Sequence, residues 1–422
     1  MNLKITPSTV SGVISVPASK SHTIRAVVVA LLADGTSVLQ NPLLSEDAES
    51  ALSCAKKMGA ETECTEDAWI IKGTGGCFNR VGEGIELNVG NSGTSLRLLS
   101  AVSALGNIPC TFDGDSSVRT RLMEPLLQSL QDLGAKIQSN NKKCPLTITG
   151  PLCGGTTTVN GLSSQFLSAL LFTCPLSTGN SIINVINLHE APYVLMTLDW
   201  LERQNIIIKR DGLARFEIPG GQKYIPFTRQ IPADFSTAAF PLCAAAVTSG
   251  TLTITGLDFS DTQGDKEIFT HMEHMGVRCL RSANGVTVSG GRLRGIDIDC
   301  NAIPDALPAL AAAACYAEGT TRLLNVRQAR FKECDRISAM CAELNKMGGD
   351  AHELDDGLII NGKPLRGAEL KSYGDHRIVM ALAVAALGAE GPSVISGAEA
   401  AGVTYPGFIQ DMRAVGAGFS QV

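Results

Sequence analysis

The chain has 422 residues, about three times the usual single-domain length, so two or three domains are expected. Apolar residues make up 44% and charged residues 18%, which is ample for a packed core and excludes a disordered chain. With 35 Lys and Arg against 41 Asp and Glu, the net charge of −6 argues against a nucleic-acid or other polyanion partner.

From the N-terminus, the opening MNLKITPSTV lacks a basic region followed by an apolar core, so no secretory signal is expected. Its LKIT segment reads as a strand with no hairpin partner of its own. Beyond it the chain is built from a repeat. Six times an Ala/Leu-rich run meets a glycine and then a β-prone stretch, at Gly35, Gly106, Gly179, Gly250, Gly319 and Gly391. Their separations are 71, 73, 71, 69 and 72 residues. A second series closes another helix at Gly59, Gly134, Gly276, Gly348 and Gly416. Its missing member is Asn205, the other residue that tolerates a left-handed helix end.

Each unit reads as strand, helix, strand, helix, strand, strand. In the second unit these are IELNV, SLRLLSAVSAL, PCTFDG, EPLLQSLQDLG, AKIQS and LTITG. The last pair is a predicted hairpin, as in GVRCLRSANGVTVSG, where Asn-Gly is expected to supply the turn. The sixth unit ends at GAGFSQV without its closing strand, so the N-terminal strand is expected to complete it. The fold class is therefore α/β, with six βαβαββ repeats in two domains of three. One domain spans 19–232; the other is discontinuous, 1–18 plus 233–422.

No run approaches the ~18 apolar residues of a membrane span, and a soluble cytoplasmic protein is expected. The 13 cysteines contain no C-x-x-C and read as small buried hydrophobes in a reducing compartment. His271 and His274 read as a surface pair on a helix rather than a metal site. Gly73-Thr74-Gly75-Gly76 reads as a loop, and no Walker-type loop is present.

The first helix of each unit opens at Lys20-Ser21, Asn91-Ser92-Gly93-Thr94, Ser163-Ser164-Gln165, Asp234-Phe235-Ser236, Asp305-Ala306 and Asp375-His376-Arg377. Their spacings are 71, 72, 71, 71 and 70 residues. Ser, Asn and Asp are ordinary helix caps, and six repeats need six of them. Caps do not explain the cations beside them: Lys20 with Arg25, Asn91 with Arg97, His376 with Arg377. Helix N-termini favour anions, so these placements point to small phosphates or carboxylates. The segments Asp115–Arg121 and Arg330–Arg336 precede second helices and add cations, with Glu333 and Asp335 among them. Lys332 and Arg336, at i and i+4, are expected to share a helix face. Carboxylates able to move protons and cations able to hold anions point to a site between the domains.

PASKSHTIR, GNSGTSLR, SSQFLSALL, IPDALPALA, RFKECDR and GDHRIVMALA together resemble the 5-enolpyruvylshikimate-3-phosphate (EPSP) synthase family, in order and spacing, from about residue 10 to 410. The resemblance implies a two-domain enolpyruvyl-transferase fold, an inside-out α/β barrel in each domain. It implies transfer of the enolpyruvyl group of phosphoenolpyruvate to the 5-hydroxyl of shikimate 3-phosphate. It also implies that Ser21, Arg25, Ser163, Ser164, Gln165, Tyr193, Asp305, Gln328 and Lys332 bind shikimate 3-phosphate. Lys20, Asn91, Gly93, Arg121, Arg336, His376 and Arg377 would hold phosphoenolpyruvate. Asp305 would take the proton of the attacking hydroxyl, with Lys332 beside it. Glu333 and Lys20 would handle the proton at the methylene carbon. No metal or organic cofactor and no partner beyond the two substrates is implied, and the family suggests a monomer.

Three positions depart from the family pattern. Val403 stands where a Lys is common before Thr-Tyr-Pro, removing one cation from the phosphoenolpyruvate side. Glu190-Ala191 stands before Pro192-Tyr193 where a Ser is common; a carboxylate would repel a bound phosphate, so Glu190 is expected to point away, or that subsite differs. Leu122 replaces a frequent Pro. The related transferase acting on UDP-N-acetylglucosamine typically carries a catalytic Cys on the loop equivalent to Asp115–Arg121. This chain has none there, Cys110 falling in the strand before it. A weakened paralogue that only binds a phosphorylated ligand is the remaining alternative, with Val403 and Glu190 as its best support.

Overall fold

The structure is a computed structural model that describes residues 1–78 and 84–422. The chain divides into two compact units: a first of Ala18–Ile231, and a second of Met1–Pro17 with Pro232–Val422. The first unit carries helices α1 (Lys20–Leu32), α2 (Glu46–Lys57), α3 (Gly93–Ser103), α4 (Glu124–Asp132), α5 (Ser164–Thr173) and α6 (Ala191–Arg203). The second carries α7 (Phe235–Val247), α8 (Glu267–Met275), α9 (Leu307–Ala314), α10 (Arg336–Lys346), α11 (His376–Leu387) and α12 (Phe408–Ala414).

Among the described residues each unit has three four-stranded sheets, all built alike. Strands 155–160 and 181–186 run parallel, joined through α5; strand 215–218 pairs antiparallel with the second and carries 209–211 on its outer edge. A parallel neighbour cannot be reached by a tight turn, and in four of the six sheets one helix makes the crossover between the parallel strands. That helix is the odd-numbered one. It is apolar on every side and therefore lies inside. In α7 the residues from Phe235 to Ala246 are all buried, and in α11 those from His376 to Leu387. Within the second unit α7, α9 and α11 pack on one another; within the first, α3 packs against α1 and α5. The even-numbered helices are amphipathic and half-buried. Each unit thus has its own apolar core.

Three strands are exchanged around the chain's crossings. Asn2–Thr6 pairs antiparallel with 393–396 and 418–421, closing the sixth repeat as its missing strand implied. Ser11–Ser15 lies parallel to 251–255 and opens the fourth repeat, while Thr228–Gln230 lies parallel to 36–40 and opens the first. Neither of the last two was legible in the repeat pattern. The second glycine series ends its helices as expected, in left-handed backbone, and Asn205 does the same at φ 56°. The Asn-Gly turn differs in detail. Gly285 begins strand 285–289 at φ 144°, where a Cβ would meet the Ile254 carbonyl at 2.0 Å. Its role is close backbone approach, and the turn itself is Ala283-Asn284.

Candidate active site

In the first unit, α1 begins at Lys20 and is capped by Ser19, whose hydroxyl accepts from the His22 N–H. Lys20 Nζ lies 3.0 Å from Asp47 Oδ2, with both side chains nearly buried. Arg25, one turn further, is 1% exposed and spends its donors locally. Its Nε donates to Thr197 Oγ1 at 3.0 Å, Nη1 to the Ser21 carbonyl at 3.1 Å and Nη2 to the Tyr193 carbonyl at 3.2 Å. Burial lowers its pKa to about 10, opposed by Tyr193 and Glu190, so it remains a cation at neutral pH.

A second cluster gathers where α3, α5 and the 115–122 segment meet. A Cβ on Gly93, the first residue of α3, would stand 3.2 Å from Arg97 Nη1 and 3.5 Å from Arg121 Nη1. Glycine there lets two guanidiniums approach the helix start. Arg97 Nη1 donates to Gln165 Oε1 at 2.7 Å, and Gln165 Nε2 donates to Thr94 Oγ1 at 3.1 Å. Arg121 Nη2 donates to Ser117 Oγ at 3.3 Å, and Asn91 Nδ2 to Asp115 Oδ2 at 2.6 Å. Ser163 caps α5 by accepting from the Gln165 N–H. Ser164 donates its hydroxyl to Glu190 Oε2 at 2.8 Å, and its N–H to the same oxygen at 3.3 Å. Glu190 does not point away: it is 2% exposed and bonded to Ser164.

The second unit holds the carboxylates. Asp305 does not cap its helix; it lies in a short 3₁₀ turn, Pro304–Ala306, leading into α9. Its carboxylate thereby binds cations: Arg336 Nη1 at 2.8 Å, Arg377 Nη2 at 2.9 Å and Lys332 Nζ at 3.7 Å. Arg336 is 1% exposed and also meets Glu333 Oε2 at 2.6 Å and Asp375 Oδ2 at 2.8 Å. Asp375 also caps α11, accepting from the Arg377 N–H at 2.8 Å. Three carboxylates (Asp305, Glu333, Asp375) therefore face three cations (Lys332, Arg336, Arg377). Burial alone would raise the pKa of Asp305. Arg377, Lys332 and Arg336 outweigh it and hold the carboxyl well below the usual carboxylate range.

One expectation fails in form. Lys332 and Arg336 do not share a helix face, because α10 starts at Arg336 behind its cap Asp335, and Lys332 lies in irregular backbone before it. They meet through Asp305 instead. His376, at the start of α11, is buried with Nδ1 4.0 Å from Asp375, and Gln328 turns its Nε2 to the Asn301 carbonyl at 3.1 Å. The partners Asp47, Thr197 and Asp375 were missed as site residues. Asp47 reads in sequence as one of three acids in the first turn of α2, indistinguishable from ordinary dipole complementation.

The family model for EPSP synthase (3-phosphoshikimate 1-carboxyvinyltransferase) matches residues 5–412. The chain belongs to the EPSP synthase family. A 3-phosphoshikimate 1-carboxyvinyltransferase of Ruminiclostridium cellulolyticum is 45% identical over 418 residues, 99% of each chain. One from Acetivibrio thermocellus is also 45% identical, over 100% of this chain and 99% of its own. The EPSP synthase structure from Acinetobacter baumannii superposes with a TM-score of 0.82 at 29% identity, covering 99% of each chain. The enolpyruvyl transferase NikO from Streptomyces tendae has the same TM-score at 18% identity, which speaks to the fold alone. The architecture is thus the two-domain enolpyruvyl-transferase fold of the EPSP synthase family. Among the described residues no helix is long and apolar enough to cross a membrane.

Proposed function

We propose that this chain transfers the enolpyruvyl group of phosphoenolpyruvate to the 5-hydroxyl of shikimate 3-phosphate and releases phosphate. The observation that carries the reading is the second unit's cluster, where Asp305 and Glu333 lie on the same guanidinium, Arg336, with Lys332 and Arg377 beside Asp305. Addition of a hydroxyl to an enol ether needs a base at the oxygen and an acid at the methylene carbon. The two carboxylates on Arg336 can accept protons and the Lys20 ammonium can donate one, and each positioned group is worth about 10²–10⁴-fold. In this reading Asp305 accepts the hydroxyl proton, while Glu333 and Lys20 pass the proton to and from the methylene. Elimination of phosphate from the adduct then regenerates the double bond.

With its three cations in place Asp305 is a weak base, because they stabilise its ionised form. Phosphoenolpyruvate corrects this as it binds. Its carboxylate and phosphate would draw Arg336 and Arg377 from Asp305, and the carboxylate left behind regains basicity. Binding and activation of the base are then one event, and they couple the first substrate anion to the proton transfer. In the first unit, Ser163, Ser164 and Gln165 at the start of α5, with Arg25, would receive shikimate 3-phosphate. Gly93, Arg121 and Asn91 would take part of phosphoenolpyruvate.

Transfer to UDP-N-acetylglucosamine is disfavoured by the 115–121 segment, which carries no thiol. Cys110 is buried in strand 110–113, and burial raises its pKa to about 11. The reading is tested by incubating the protein with both proposed substrates and following phosphate release. Release that depends on shikimate 3-phosphate supports it; release that depends only on UDP-N-acetylglucosamine replaces it.

A further inference from the structure

Glu190 stands at an unusual place. It is the residue before α6, in left-handed backbone at φ 56° and ψ 39°, a strained conformation for a non-glycine residue that persists only where its surroundings impose it. Its carbonyl accepts from the Tyr193 N–H and starts α6, while its side chain turns to the first turn of α5. There its Oε2 accepts both the hydroxyl and the backbone N–H of Ser164. The carboxylate is buried, and its charge acts on Arg25. A carboxylate has therefore taken a helix-start N–H, a serine hydroxyl and the field of a buried guanidinium. Those are the groups that recognise a phosphate ester.

We propose that Glu190 is an internal occupant of the phosphate subsite of shikimate 3-phosphate. It holds the Ser164 donors in the free protein and must be displaced before a phosphate can take them. This rests on the substrate assignment above and adds to it a residue that sets affinity for one substrate only. Two anions cannot share Ser164: a carboxylate and a phosphate at hydrogen-bond distance from one hydroxyl repel strongly in a site closed to water. The chain thus trades affinity for shikimate 3-phosphate against a satisfied, closed subsite when the substrate is absent.

The test compares wild type, Glu190→Gln and Glu190→Ser. KM is measured for each substrate separately, with calorimetric binding of shikimate 3-phosphate and thermal stabilisation by inorganic phosphate. Glu190→Ser empties the subsite, and KM and Kd for shikimate 3-phosphate are expected to fall at least about tenfold, equivalent to about 1.4 kcal/mol. Glu190→Gln keeps the shape, removes the charge and gives a smaller fall in the same direction. The KM for phosphoenolpyruvate is expected to shift less than about twofold. Turnover with a KM for shikimate 3-phosphate that is unchanged or raised in both variants overturns the proposal and leaves the substrate assignment standing. If none of the three proteins turns over the two substrates, the assignment fails, and inorganic phosphate decides the rest. Greater stabilisation of Glu190→Ser than of wild type upholds displacement, and equal stabilisation overturns it.

Discussion

Replacing Asp305 by Asn separates its two roles, as base and as counter-charge. The carboxylate binds Arg336, Arg377 and Lys332, and all three cations remain in the variant. As a base it is expected to contribute about 10²–10⁴-fold, or about 2.7–5.5 kcal/mol of activation free energy. As a counter-charge it offsets part of the cations' desolvation, and removing one partner of a buried pair costs about 3–5 kcal/mol. The lower end applies, since Asp305 is 19% exposed and Asn retains one acceptor oxygen. The assay is phosphate release at saturating substrates, beside calorimetric binding of shikimate 3-phosphate and urea unfolding. The expected result is a kcat lowered about 10³-fold, a much smaller change in shikimate 3-phosphate affinity, and a urea midpoint reduced in step with the lost counter-charge. A folded variant with kcat within about tenfold of wild type would refute Asp305 as the base, because a positioned base typically contributes at least about 10²-fold.

The same residue sets a pH dependence. Its folded-state pKa lies below its unfolded value of about 3.9, so its stabilisation is complete above that pH and is lost as pH falls further. Acid unfolding followed by circular dichroism should therefore be shallower for Asp305→Asn than for wild type; parallel curves would contradict the sign. Arg336→Met leaves Asp375, which is fully buried, without its Nε partner. It is expected to destabilise by about 3–5 kcal/mol in urea and to raise the KM for phosphoenolpyruvate; a change under about 1 kcal/mol would show the cluster to be solvated. Val403 is 8% exposed near the end of the 398–403 turn. Val403→Lys should restore a cation and lower the KM for phosphoenolpyruvate, and an unchanged or higher KM would mean that another residue fills that role. Asn205→Ala places a Cβ-bearing residue without a local hydrogen-bonding amide at φ 56°, at a cost of about 1 kcal/mol, whereas Asn205→Gly should be neutral or stabilising. Thermal unfolding of the pair checks both.

The repeat was legible because it is local. A helix needs a left-handed residue at its end, only Gly or Asn supplies one cheaply, and six helices repeat the demand at a fixed interval. Asn205 in place of a glycine obeys that rule. The exchanged strands were not legible in the same way. Thr228–Gln230 has three residues, exposed or half-buried, and Ser11–Ser15 buries only Ile14, so neither shows an alternating pattern. Their partners lie about 190 and 240 residues away. The site divides along the same line. Cations at helix starts announced themselves because a cap alone does not need them. The pairing of Arg336 with Asp375 spans 39 residues and two elements, which no periodicity encodes. Lys332 and Arg336 were misplaced on one face because i, i+4 spacing has meaning only inside a helix, and the helix begins after Lys332. At Glu190 charge repulsion was the correct physics, but it acts only between two anions. Ser164 offers donors, and the Glu190 carboxylate accepts from both of them.

Addition and elimination through a protonated methylene is the core of the proposed chemistry, and one measurement reaches it directly. Shikimate 3-phosphate and phosphoenolpyruvate, the latter labelled with ¹⁸O at the bridging oxygen, are incubated with the protein in D₂O and the products read by NMR and mass spectrometry. Deuterium is expected in the vinyl methylene of the product and the ¹⁸O label in the released phosphate, because the carbon–oxygen bond breaks. Phosphate release without shikimate 3-phosphate, or a product free of deuterium with the label retained on carbon, would contradict that chemistry.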